Sequence, residues 1–147
     1  MELTVIQKIA IYALPVIFAI TVHEAAHGYA ARYFGDMTAH QAGRISLNPV
    51  RHIDPIGTIL VPILTMFAGG ILFGWAKPVP VDFSRLRNPK RDMLWVAAAG
   101  PASNLMMGIF WAFVLSFSAA APADFATPLA YMAQAGIMIN VVLMVLN

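Results

Sequence analysis

Three stretches of this chain carry no charged side chain for 21, 31 and 23 residues: Ile56–Ala76, Met93–Ala123 and Phe125–Asn147. A fourth, Ile9–Val22, is shorter but continues through a pattern with helical spacing to Phe34. A hydrocarbon core about 30 Å thick is crossed by about 20 apolar residues as a helix. Runs of this length restrict the chain to structures that satisfy their own backbone hydrogen bonds in lipid. Composition agrees, with 60% hydrophobic and 11% charged residues, against about 45–50% and 25% in soluble domains. The reading is an all-α polytopic membrane protein, one domain over residues 1–147. Helices are expected over Ile9–Phe34, Pro89–Ser118 and Pro128–Asn147, with Pro15 and Pro101 kinking the first two.

Inside the first run stands His23-Glu24-Ala25-Ala26-His27. Positions i and i+4 share a helix face, so the two imidazoles can grip one metal ion, and Zn²⁺ suits neutral imidazole. Glu24, beside the first histidine, is placed to act as general base on a water molecule. Ionisable groups at membrane depth are costly and mark function. The plainer alternative is a polar face turned to a water-filled gap. With no cysteine in the chain, neither disulfides nor thiolate ligands are available.

Two segments are less regular. Arg44-Ile45-Ser46-Leu47-Asn48 alternates polar and apolar, as a short membrane-associated β segment does, and such an edge could hold an extended peptide. An ordinary surface connection is the equal alternative. Ile56–Ala76 is interrupted by Gly57, Pro62, Gly69-Gly70 and Gly74. It could span once or dip in and return. Basic residues favour the re-entrant form over a full crossing: Arg44 and Arg51 precede it, and Lys77, Arg85, Arg87, Lys90 and Arg91 follow it. The positive-inside rule puts both loops in the cytoplasm if the segment returns. The metal then lies toward the cytoplasmic side. Gly100, Asn104 and Gly108 recur every fourth residue, a small-residue stripe that should face another helix. Asn104 thereby becomes a candidate polar contact near the site, for substrate or oxyanion support. A plain interhelical hydrogen bond is its alternative. Gly136 and Asn140 share a face of the last run.

Together these residues resemble the site-2 protease family of intramembrane zinc metalloproteases, in its compact prokaryotic branch without a PDZ domain. The resemblance rests on His23–Gly28, Gly43–Pro49, His52–Thr58, Gly74–Val81 and Ala99–Asn104, in family order along nearly the whole chain. It implies that His23 and His27 ligate a single Zn²⁺ and that Glu24 is the catalytic base. It also implies that the substrates are transmembrane segments of membrane proteins, cut near the cytoplasmic face. The expected partners are such a substrate and the lipid bilayer of the cell membrane, with no nucleic acid. The family's third ligand is an Asp in a Leu-Asp-Gly motif closely following an Asn that Asn147 resembles. That Asp is expected just past Asn147, so the sequence reads as C-terminally incomplete; His52 or Asp54 is the substitute to consider. The rival class is a non-catalytic metal-binding scaffold or transporter subunit.

Overall fold

The computed structural model describes residues 4–61, 64 and 75–146. Three long helices carry the architecture: α1 (Val5–Tyr33), α3 (Pro89–Ser118) and α4 (Ala123–Leu146), with a single turn α2 (Thr38–Gln41) after α1. Each long helix packs on both others. All three are long and apolar enough to cross a membrane. Large side chains such as Phe18, Phe110, Phe113 and Phe117 point outward, where a bilayer would solvate them. The interior is made instead of small and polar groups: Ala19, Ala25, Ala133, His23, Asn104 and Asn140 are all buried. That inversion is how spanning helices pack, because lipid offers apolar side chains nothing to escape from.

Cap chemistry shifts two helix ends from their expected places. α1 begins at Val5 and not at Ile9 because Thr4 and Gln7 form a reciprocal capping box. Its last carbonyls, of Tyr33 and Phe34, accept hydrogen bonds from the Arg87 guanidinium, and Phe34 O also accepts from Arg87 N at 2.9 Å. These are orphan acceptors at the negative end of the helix dipole, where a cation is favourable. α4 begins at Ala123, five residues before the expected Pro128, with Asp124 in its first turn and Phe125 N and Ala126 N bonded to Pro122 O.

The expected β segment does not form among the described residues: residues 44–48 have no ladder, and the chain bends at Leu47. The physical reason is the kind of partner they meet. Arg44 donates its guanidinium to Lys77 O (2.8 Å) and Pro78 O (3.3 Å), and Ser46 O accepts from the His52 ring (2.7 Å). Side-chain donors take the place of a neighbouring strand. The facing segment, Lys77-Pro78-Val79-Pro80, cannot supply a donor row because its alternate residues lack N–H.

The re-entrant reading of Ile56–Ala76 falls largely outside the described residues. Its described ends lie together. Pro55–Leu60 forms one π turn, Trp75 N donates to Gly57 O at 3.0 Å, and the Thr58 hydroxyl donates to Trp75 O at 2.8 Å.

Candidate metal centre

His23 and His27 lie one turn apart on α1, and their Nε2 atoms face each other at 3.0 Å. What fixes them is at the back of each ring. His27 Nδ1–H donates to Val96 O of α3 at 2.7 Å. His23 Nδ1–H donates to Asn104 Oδ1 of α3 in a short hydrogen bond. A neutral imidazole carries one ring proton, so engaging both Nδ1 positions as donors leaves a lone pair on each Nε2. Two lone pairs at that separation repel unless a cation lies between them. This donor set fits Zn²⁺ and other imidazole-binding divalent ions.

The third wall of this space is a missing side chain. A Cβ built on Gly100 would come within 2.4 Å of His27 Nε2 and 2.6 Å of His23 Nε2. The backbone of α3 can therefore approach both ligand atoms only because residue 100 is glycine, and the vacant volume lies on the ligand side of the pair. Gly100 was legible in the sequence as part of a small-residue stripe, but not as the residue that keeps this space open.

Glu24 follows His23 on α1 and is half-buried. Its Oε2 accepts from Val79 N at 2.7 Å. Val79 belongs to the extended strap 75–82, whose prolines at 78 and 80 hold it straight. The strap is fixed on both sides of this contact. Upstream, Arg44 grips Lys77 O and Pro78 O; downstream, Asp82 N donates to Asp36 Oδ2 at 2.7 Å.

Asn104 is fully buried and reaches the histidine pair, but it stands behind His23. Its amide N–H groups point to Asn140 Oδ1 (2.8 Å) and Ala19 O (3.5 Å). Both amide N–H groups are thus turned to protein acceptors. Asn140, which sequence reasoning left unassigned, donates in turn to Gly136 O at 2.8 Å. Its only sequence signal was the face it shares with Gly136. The two substitute ligands stay apart from the pair. The His52 ring bonds Ser46 O, and the Asp54 carboxylate caps the π turn through Ile56 N and Gly57 N. Among the described residues, no group of three His, Asp, Glu or Cys side chains converges on one point.

No protein-family profile and no solved structure matches the chain. Two curated proteins are similar to it. Over 138 residues it is 38% identical to "Putative zinc metalloprotease YwhC" of Bacillus subtilis (strain 168), covering 91% of this chain and 60% of that protein. Over 94 residues it is 30% identical to "Putative zinc metalloprotease Rip2" of Mycolicibacterium smegmatis (strain ATCC 700084 / mc(2)155), covering 63% of this chain and 35% of that one. The chain thus matches less than two thirds of the length of either relative, and over most of its own length it is similar to a protein named "Putative zinc metalloprotease".

Proposed function

We propose that this chain is the core of an intramembrane zinc metalloendopeptidase of the site-2 protease type, hydrolysing peptide bonds within or near transmembrane segments of membrane proteins. The observation that carries this reading is the pair of Nε2 lone pairs facing each other at 3.0 Å on a helix built to span a membrane, with a carboxylate on the next residue. The names of both relatives support it.

His23 and His27 would hold Zn²⁺, which when bound would supply Lewis-acid chemistry that lowers the pKa of water and polarises a carbonyl. Glu24 is the general base: it takes a proton from the attacking water and returns it to the leaving amine. Val79 N–H holds one carboxylate oxygen and leaves the other for that proton. A catalytic zinc site has three protein ligands, of which His23 and His27 are two in this reading. The substrate is a membrane-protein segment that unwinds locally, since a helical peptide bond is shielded by its own turn. The meeting of Gly57 and Trp75 supports a segment that returns to the side it left, which puts both basic loops and the metal toward the cytoplasm.

The test is cleavage of a reporter transmembrane segment by the full-length protein beside zinc quantitation. Glu24→Gln is isosteric but cannot accept the proton. Hydrolysis is expected to fall by at least about 10²–10⁴-fold while zinc stays bound. In the rival reading, a metal-binding scaffold, wild type binds zinc but cleaves nothing. Cleavage by Glu24→Gln at the wild-type rate removes Glu24 as the base.

A further inference from the structure

We infer that Asn140 is a positioning residue for the metal pair, acting through Asn104 to hold His23 in the one tautomer that can bind a metal through Nε2. This role rests on the proposed reading of His23 and His27 as metal ligands, and not on hydrolysis.

The far end of the relay is a backbone carbonyl, whose hydrogen-bonding role is fixed. Gly136 O can only accept, so Asn140 must turn its NH₂ toward it (2.8 Å) and its Oδ1 toward α3. That oxygen can only accept, so Asn104 must turn its own NH₂ toward Asn140 (2.8 Å) and its Oδ1 toward α1. The Asn104 oxygen then faces His23 Nδ1, which must carry the ring proton. Nε2 is left with the lone pair that faces His27. One backbone carbonyl on α4 therefore dictates, across three helices, which nitrogen of His23 is free.

Burial gives the relay its force. Asn104 is 0% exposed and Asn140 is 1% exposed. Water cannot replace a lost partner there, and a buried polar atom left unpaired costs about 1–3 kcal/mol. An amide is nearly symmetric in shape, so Asn104 alone fits its site either way round. Flipped, it would present N–H to His23 Nδ1 and stabilise the tautomer with the proton on Nε2, which cannot ligate. Asn140 Oδ1 at 2.8 Å, with the longer contact to Ala19 O at 3.5 Å, removes that alternative. His27 has no such dependence, because its Nδ1–H donates to the carbonyl of Val96, which cannot flip. The two ligands are therefore held by different means, and only one is vulnerable at a distance.

The experiment uses full-length protein labelled with ¹⁵N-histidine, metal-free and well above the imidazole titration range, with zinc affinity measured in parallel. Asn140→Leu keeps the volume and removes both hydrogen-bonding faces. His23 should shift toward the tautomer protonated on Nε2 while His27 keeps its wild-type signature. Zinc affinity should fall by about 10–100-fold, the usual consequence of losing an orienting partner. An unchanged His23 in Asn140→Leu overturns the inference. So does an equal change at both histidines, since it marks loosened packing.

Discussion

Asp36 and Asn104 are both wholly buried, yet they are opposite solutions to the same problem. Asp36 lies just past α1, outside the span, and uses a charge. Its carboxylate accepts from Thr38 N (2.9 Å), the Thr38 hydroxyl (2.5 Å) and Asp82 N (2.7 Å). Burial raises its pKa, but these hydrogen bonds outweigh that and hold the carboxyl below the ordinary carboxylate range. Asn104 lies within the span and uses a neutral amide, with every partner a neutral amide, imidazole or carbonyl. The difference teaches where the chain tolerates charge. At membrane depth an uncompensated charge is costly, so orientation is transmitted by neutral groups with a donor end and an acceptor end. Beyond the span, a carboxylate can collect several backbone N–H groups and fix a loop with them.

Each cluster fails in its own way. The largest effect belongs to the span. Gly100→Ala puts a methyl group on the ligand side of His23 and His27, closer than any Cβ contact permits. Zinc binding by the purified protein should be lost below detection, while far-UV circular dichroism remains helical. Zinc binding at wild-type affinity would mean that α3 can retreat and that the close approach is not required.

Next comes the loop cluster. Asp36→Ala leaves the Thr38 and Asp82 N–H groups without their acceptor, a cost of about 1–3 kcal/mol for a buried group. Thermal unfolding should occur at lower temperature. Because the strap that contacts Glu24 is tied to Asp36 through Asp82, hydrolysis should fall while zinc affinity does not. A matching loss of zinc would erase the distinction between the clusters.

The smallest effect is the pH dependence of that stability. The folded Asp36 carboxyl titrates below its ordinary value of 3.8, so its contribution is fully present above that value. It is lost as pH falls from there through the lower folded value. Asp82 shifts the same way, held by its hydrogen bonds with the Ser84 hydroxyl and Ser84 N and by the charge of Arg85. Unfolding measured against pH should therefore show an acid limb that is shallower in Asp36→Ala. An identical limb in both proteins would assign the acid sensitivity elsewhere.

The same contrast explains what could be read from the sequence. Charge-free runs gave three helices and their order, because the bilayer requirement acts on every residue of a span. The ends were misjudged where capping and not hydropathy decides. Thr4 and Gln7 extend α1 back past the charged Lys8, and α4 begins at Ala123, before Pro128, with Phe125 N and Ala126 N bonded to Pro122 O. The alternation in residues 44–48 suggested a strand, but a strand exists only with a partner row, and the facing prolines cannot provide one. His23, Glu24 and His27 stood out because their relation is local, set by one helical turn. Asn104 was visible as a polar residue in a small-residue stripe. Its true neighbour, Asn140, lies 36 positions away on another helix, and no periodicity within either run reports which two faces meet.

The most direct test of the central claim, that His23 and His27 present their Nε2 atoms to one zinc ion, is zinc X-ray absorption on the full-length protein. The wild type should show two imidazole nitrogens at about 2.0–2.1 Å. His23→Ala and His27→Ala should each lose the metal or retain a single imidazole. A zinc spectrum with no imidazole contribution, or one left unchanged by both substitutions, would contradict the account.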